Sequence, residues 1–133
     1  MEFLNRRISI RNFRVQASIG FHAAEQLRTQ TVLIDIDLHL PALRGEMPDE
    51  VSATVDYDRV YAAIPPLLAS RHFKLQESLC HALLKFCVAL PGVCGARVRI
   101  RKPEAYADCE SAGYSAELHQ APACSGATGS GSH

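Results

Sequence analysis

The strongest indication of the fold is the stretch Thr31-Val32-Leu33-Ile34-Asp35-Ile36-Asp37-Leu38-His39-Leu40, because apolar and polar side chains alternate along all of it. Successive side chains of a strand point to opposite faces, so one face would be apolar from residue 32 to residue 40 and the other mainly polar. This division is typical of a half-buried antiparallel strand. Asp35 and Asp37 share the polar face. We interpret them as solvated rather than as a metal site, because no third ligand clusters with them.

Three further segments alternate in the same way. Residues 8–19 do so with a slip of phase at Arg11–Asn12, which predicts a bulge or bend between two short strands. Gly20 ends this pattern. Residues 96–101 and 112–118 form a second pair of strands, with alanine, valine, isoleucine and leucine on one face. The chain therefore carries two strand pairs, one at each end of the domain.

Two helices are predicted between the strand pairs. Asp56 is a typical N-cap for a helix that begins near Tyr57, and Pro65–Pro66 should kink that helix or end it. Apolar residues at helical spacing predict a second helix from about Leu75 to Leu90. The order ββααββ predicts an α+β fold, a four-stranded antiparallel sheet with two helices on one face. Its free edge strands favour assembly into a closed ring.

Length and composition fit a single domain followed by a short tail. The chain has 133 residues, of which 47% are hydrophobic, enough for one core over residues 1–120. Residues 121–133 are small and rich in glycine and serine, which predicts a disordered tail. The last five have the composition of an expression-vector remnant.

Charge and cysteine content exclude several classes of function. The 14 basic and 14 acidic residues balance, so no net field would attract nucleic acid or an acidic membrane. No apolar run approaches the roughly 20 residues of a membrane span, and the N-terminus lacks a signal-peptide core, so we expect a cytoplasmic protein. The five cysteines include no C-x-x-C pair, which argues against a zinc knuckle. Cys80 and Cys87 are predicted to be reduced core residues.

A lysine is predicted at a strand end in the stretch Val98-Arg99-Ile100-Arg101-Lys102-Pro103. Proline cannot donate to a strand ladder, so the strand should stop at Lys102. A side chain at such a position can be aimed into a cleft, and partial burial lowers the pKa of catalytic lysines. A solvated edge lysine is the commoner case, so the functional interpretation depends on other segments.

Four segments together resemble a known family. They are Ile19-Gly20-Phe21-His22-Ala23-Ala24-Glu25, Val55-Asp56-Tyr57-Asp58, Phe73-Lys74-Leu75-Gln76-Glu77-Ser78-Leu79 and Arg101-Lys102-Pro103. In this order on a ββααββ pattern, the chain from about Arg6 to Leu118 resembles the dihydroneopterin aldolases of folate biosynthesis. The family's usual branched apolar residue before the glutamate of the third segment is replaced here by Gln76.

The resemblance implies a T-fold whose sheets close into a ring of subunits. Two rings would stack into an octamer, with active sites between neighbouring subunits, although tetramer and octamer both stay open. The reaction would be retro-aldol cleavage of the pterin 7,8-dihydroneopterin, giving 6-hydroxymethyl-7,8-dihydropterin and glycolaldehyde. Neither a metal, a Schiff base nor another cofactor is expected, since the protonated pterin ring would accept the electrons.

The resemblance also implies roles for individual residues. One carboxylate can accept hydrogen bonds from both the amino group and the ring N–H of a pterin, which suits Glu77. Leu75 and Gln76 would contribute backbone groups to the same pocket. Lys102 would be the acid/base group, Tyr57 its partner across the subunit boundary, and Glu25 would hold the dihydroxypropyl chain or tune Lys102. Without the resemblance, Glu77 would be interpreted as a glutamate that stabilises the helix dipole, Tyr57 as a half-buried aromatic of a first helical turn, and Glu25 as a solvated loop residue.

Three alternatives are open. Epimerisation of dihydroneopterin or its triphosphate at the 2′ carbon shares the retro-aldol step, and a triphosphate would require basic residues near the pocket. A zinc-dependent pterin synthase of the same fold needs three clustered histidines, and the six histidines include no H-x-H pair. A paralogue that binds pterin without turnover would have lost site residues, whereas all of them are present here.

Overall fold

The computed structural model describes residues 1–120 and Cys124, apart from the side chains of residues 26 and 27. The strands are β1 (Glu2–Phe3), β2 (Arg6–Ala17), β3 (Gln30–Leu40), β4 (Leu43–Arg44), β5 (Gly95–Lys102) and β6 (Ala112–His119), and the helices are α1 (Tyr57–Ala69) and α2 (Gln76–Val88). The main sheet is antiparallel in the order β2-β3-β5-β6. This arrangement confirms the predicted α+β fold.

The core lies between one face of this sheet and the two helices. Alternate apolar residues of β3 and β5 are fully buried against the apolar stripes of α1 and α2. Cys80 and Cys87 of α2 are free and buried there, as predicted. Burial raises the pKa of the Cys80 thiol to about 11 and that of the Cys87 thiol to about 12, so both stay protonated.

The phase slip in β2 is a bulge, as predicted. The pairing of β2 with β3 shifts between Ile10 and Phe13, and Asn12 adopts a left-handed φ of 54°. The Asn12 backbone N–H donates to Asp35 Oδ1 at 2.7 Å. A carboxylate on the neighbouring strand therefore holds the bulge.

The interpretation of Asp35 and Asp37 as solvated was wrong. Both residues are only 8% exposed, because basic side chains from neighbouring positions cover them. Arg101 pairs with Asp35 at 3.3 Å and Arg11 pairs with Asp37 at 2.8 Å. Asp37 also accepts a hydrogen bond from Ser9. Burial of these carboxylates is possible because each one has a charged partner.

Helix α1 begins where predicted and continues through its two prolines. Asp56 caps it, accepting from the Asp58 backbone N–H at 2.9 Å. Pro65 and Pro66 lie inside the helix on its exposed side, while Ile64 and Leu68 face the core. The backbone carbonyls that lose a donor are therefore on the side open to water, and the helix does not end there.

Several features were not predicted. β1 and β4 form a separate two-stranded sheet, and short 3-10 helices occupy Ala23–Leu27 and Val51–Ala53, in stretches interpreted as loops. Cys124 is buried and forms a disulfide with Cys94, with Cα atoms 5.2 Å apart. This disulfide was not predicted from the sequence. The rest of the predicted tail lies outside the described residues. Within the described part of the chain, no helix is long and apolar enough to span a membrane.

Candidate active site

A cavity of about 410 Å³ lies at the end of the sheet where β5 stops. Three stretches of chain form its walls: the connection from β2 to β3, the entry into α2, and the connection from β5 to β6. The lining residues are Ile19, Gly20, Phe21, His22, Glu25, Arg28, Gln30, Lys74, Leu75, Gln76, Glu77, Lys102, Glu104, Ala105, Tyr106 and Ala112.

Backbone hydrogen bonds join the first two walls. The N–H of Gly20 donates to the carbonyl of Phe73 at 2.8 Å, and the N–H of Phe73 donates to the carbonyl of Ser18 at 3.0 Å. The His72 ring spans the same junction, with Nδ1 2.5 Å from Ser18 Oγ and Nε2 2.6 Å from the Gly20 carbonyl. The loop after β2 is thereby held against the entry to α2.

An ion pair between Lys102 and Glu25 lies in the cavity wall. Lys102 Nζ donates to Glu25 Oε2 at 2.9 Å, and the two side chains are only 13% and 17% exposed. Gln30 Nε2 donates to the same oxygen at 2.9 Å. The hydrogen bonds from Lys102 and then Gln30 lower the pKa of Glu25 to about 2. Glu25 is therefore a carboxylate at neutral pH and holds the Lys102 ammonium group in place.

Gly20 makes room for this carboxylate. Its φ of +125° is one that residues with side chains rarely adopt, and a Cβ atom at this position would lie 2.2 Å from Glu25 Oε1. The glycine that ends the first strand pattern therefore serves the ion pair directly, because any side chain there would displace Glu25.

The lowered pKa of Glu25 predicts an acid-sensitive contribution to stability. Because the folded-state pKa of about 2 lies below the ordinary 4.5, the contribution is complete above about pH 4.5 and is lost as the pH falls towards 2. Glu25→Gln should therefore lower the free energy of unfolding near neutral pH, and its difference from the parent should shrink in acid. Urea unfolding across this range measures the difference. Exposed Glu110 offers the control Glu110→Gln, and a pH-independent difference for Glu25→Gln would contradict the prediction.

The residues expected to hold a substrate ring lie on the wall formed by the entry to α2. Leu75, Gln76 and Glu77 all line the cavity, with Glu77 in the first turn of the helix. Gln76 Oε1 is buried without a hydrogen-bond partner among the described residues. A buried acceptor of this kind is costly unless a donor reaches it, so it is suited to receive a ligand N–H.

The structure thus brings Lys102, Glu25, Glu77, Leu75 and Gln76 together around one cavity. Tyr57 does not line it, and its side chain is 56% exposed at the start of α1. Two contributors were missed, Gln30 and His72, which position the wall, and the basic residues Arg28 and Lys74 also line the cavity. Only the strand register brings Gln30 close to Lys102, and sequence spacing carries no signal of it.

Comparison with solved structures identifies the fold first. The T-fold is shared with a FolB protein of Vibrio cholerae whose structure is solved (TM-score 0.79, 21% identity, covering 87% of this chain and 98% of the other). The dihydroneopterin aldolase of E. coli, solved in complex with neopterin, has the same fold, with a TM-score of 0.74 and 19% identity, covering 85% of this chain and 98% of the other.

Sequence comparison then gives the family. The family model for dihydroneopterin aldolase (FolB) matches residues 8–117, and the chain belongs to that family. The dihydroneopterin aldolase of Burkholderia thailendensis, solved bound to guanine, is 33% identical with a TM-score of 0.74, covering 87% of this chain and 92% of the other. The dihydroneopterin triphosphate 2′-epimerase of Pseudomonas aeruginosa is 28% identical over 105 residues, which is 79% of this chain and 85% of that protein.

Proposed function

We propose that this chain is a dihydroneopterin aldolase that cleaves 7,8-dihydroneopterin without a metal or a Schiff base. The observation that carries the proposal is the Lys102–Glu25 ion pair in the wall of the cavity that Glu77 also lines. A proton-transfer group and a pterin-anchoring carboxylate are thus available to one bound molecule. Membership of the family supports a reaction of this type.

Glu77 anchors the pterin in this proposal. The carboxylate accepts one hydrogen bond from the pterin amino group and one from the adjacent ring N–H. Gln76 Oε1 accepts a hydrogen bond from a further N–H of the pterin. Guanine presents the same amino and N–H edge as a pterin, and the Burkholderia relative was solved with guanine bound. The E. coli relative was solved with neopterin.

The proposed reaction breaks the bond between C1′ and C2′ of the side chain. The 2′-hydroxyl loses its proton, glycolaldehyde leaves with C2′ and C3′, and the electron pair moves into the protonated imine of the ring to give an enol. Protonation of C1′ then yields 6-hydroxymethyl-7,8-dihydropterin. Lys102 Nζ is the acid/base group, and Glu25 orients it through their 2.9 Å hydrogen bond.

Tyr57 takes part from a neighbouring subunit, so the enzyme is a homo-oligomer with sites between subunits. Two observations support this: Tyr57 is exposed and away from its own chain's cavity, and strands β2 and β6 end the main sheet without a pairing strand within the described residues. Exposed Phe21, Leu75 and Tyr106 around the cavity add apolar surface that a neighbouring subunit or the substrate would cover.

Sites of this kind predict that two inactive variants complement each other. Tyr57→Phe and Lys102→Ala, each expected to be strongly impaired alone, should regain activity when co-expressed, because some interfaces then carry both intact side chains. Activity per subunit of the purified mixed assembly is the measurement, with each variant expressed alone as the control. A mixture no more active than the sum of its parts would place Tyr57 and Lys102 in the same chain's site.

A second candidate function is epimerisation of the triphosphate at the 2′ carbon. Two observations favour it: the Pseudomonas relative bears that name, and Arg28 and Lys74 add two cations to the cavity wall beside Lys102. Basic side chains that line the same cavity as the proposed pterin site are suited to bind the phosphate groups of a triphosphate.

Product analysis separates the candidates. The purified protein is incubated with 7,8-dihydroneopterin and, separately, with its triphosphate, and products are resolved by chromatography. Hydroxymethyl-dihydropterin with glycolaldehyde supports the aldolase. A 2′ epimer alone, formed faster from the triphosphate and slowed by Arg28→Ala, identifies the epimerase. Pterin binding without any product identifies a non-catalytic paralogue and overturns the proposal.

Gln76 offers a test of the proposed binding mode. Replacing it with leucine restores the apolar character usual in the family and removes the unpartnered acceptor. If Oε1 accepts a pterin N–H, Gln76→Leu should raise the Kd for pterin by about 5–10-fold, in keeping with about 1 kcal/mol for one hydrogen bond. Calorimetric titration with neopterin measures this. An unchanged or lower Kd would show that the amide does not contact the ring.

A further inference from the structure

We propose that His39, Glu117 and His119 form a binding site for a divalent transition metal ion, best suited to Zn²⁺. The three residues lie on the sheet face opposite the helices, near residue 95 at the start of β5, whereas the cavity lies near residue 102 at its end. Seven residues of strand separate the two places by about 23 Å. The site is thus independent of the proposed aldolase chemistry.

The register of three strands creates the site. His39 of β3 pairs with Gly95 of β5, and Gly95 pairs with His119 of β6, so two histidines flank a glycine in one row across the sheet. Adjacent strands lie about 4.8 Å apart, which would separate the two histidine backbones by nearly 10 Å. Their rings nevertheless approach to 5.4 Å between centroids, because they lean over the glycine.

Gly95 is the feature that permits this approach. A Cβ atom there would lie 2.5 Å from His119 Nδ1, so any side chain on the central strand would occupy the space between the rings. Glu117 lies two residues before His119 on the same face of β6, with Oε1 3.0 Å from His119 Nε2. The missing side chain thus leaves room in which two imidazoles and a carboxylate converge.

The donor set and its dimensions suit zinc. Each residue offers one ligand atom, and the three atoms lie within 4.8 Å of one another. Tetrahedral zinc with bonds of about 2.0–2.1 Å separates its ligands by about 3.3 Å, so small side-chain rotations would complete the set. Two histidines and one glutamate leave a fourth position for water, and all three side chains are at least partly accessible.

Two arginines limit the expected affinity. Arg7 pairs with His39 across β2 and β3, and Arg97 pairs with Glu117 across β5 and β6. Their charges repel a dication, so we expect binding in the micromolar range rather than that of a buried structural zinc site. These residues lie on the same polar face, where water screens the repulsion.

Calorimetric titration of the full chain with ZnCl₂ tests the proposal. We expect one Zn²⁺ per chain and a loss of affinity of at least about 100-fold in His119→Ala and in Glu117→Gln, since removing even an indirect partner of a ligand costs about 10–100-fold. His81→Ala is the matched control, because His81 is an exposed histidine that contacts Tyr114 outside the cluster. All three variants change exposed side chains and should therefore fold.

Two further variants make the result decisive. Cys109→Ser removes the exposed free thiol and should leave Zn²⁺ binding unchanged. Gly95→Ala should weaken binding without removing a ligand, because it fills the space between the rings. Co²⁺ should give the visible absorption of a tetrahedral nitrogen and oxygen site in the parent, in His81→Ala and in Cys109→Ser, and should not give it in His119→Ala. No binding by the parent, or binding that survives His119→Ala, would overturn the proposal.

Discussion

Lys102→Ala is expected to lower kcat for cleavage of dihydroneopterin by about 10²–10⁴-fold while changing the Kd for pterin by less than about threefold. The large effect follows from its position: Nζ is held 2.9 Å from a carboxylate in the cavity wall, with the side chain only 13% exposed. A positioned proton-transfer group contributes to the transition state far more than to ground-state binding. Single-turnover kinetics and neopterin titration measure the two quantities separately.

Lys85→Ala is the control for this prediction, since Lys85 lies in the last turn of α2, away from the cavity. It should leave kcat and Kd unchanged. The His22 backbone N–H and Gln30 Nε2 should still hold the Glu25 carboxylate when Lys102 is absent, so a collapse of the wall would not explain the loss. A variant that keeps its kcat but loses pterin affinity would make Lys102 a binding residue and remove it from the proposed mechanism.

Much of the fold was predictable because its elements have strong local signals. The alternation in β3 gave the correct buried face, and the phase slip at Arg11–Asn12 marked the bulge. By contrast, β1 and β4 contain two residues each and have no period that a pattern could reveal. The burial of Asp35 was also invisible, because it depends on Arg101 across the strand register.

The site was predictable only as a set. Lys102 alone looks like an edge residue, and its meaning came from the order and spacing of four segments that resemble one family. Register then explains the contacts that spacing could not supply. Leu33 pairs with Arg101, so the start of β3 and the end of β5 meet, and Gln30 reaches the carboxylate that Lys102 binds. Tyr57 does not line the cavity of its own chain, so the spacing of residues along one chain carries no signal of which site it would enter in an assembly.

The same limit applies to His39, Glu117 and His119. A search for H-x-H pairs looks for ligands on a single strand, whereas these residues come from two strands separated by a third. The signal that could have found them is Gly95, a glycine inside a central strand, which often marks a place where other groups approach closely. Reading it requires the register of all three strands.

Glu77→Gln is expected to raise the Kd for pterin, and KM with it, by about 10–100-fold with little change in kcat. The amide keeps the shape of the side chain but replaces an acceptor oxygen by a donor, so one prong of the proposed two-pronged hydrogen bond is lost together with the charge. Hydrogen bonds to charged groups contribute about 1.5–3 kcal/mol each. Calorimetric titration with neopterin gives Kd, and steady-state kinetics with dihydroneopterin give KM and kcat.

Glu104→Gln distinguishes anchoring from a general effect of charge. Glu104 lines the same cavity from the wall that the connection from β5 to β6 forms, so its replacement removes an equal charge near the ligand. If Glu77 binds the ring edge directly, Glu104→Gln should change the Kd by less than about threefold, as expected for an exposed charge screened by water. Equal losses in both variants would mean that the cavity's negative charge, not a bond from Glu77, holds the pterin. A fall in kcat for Glu77→Gln without a rise in Kd would instead move Glu77 from substrate binding to the chemical step.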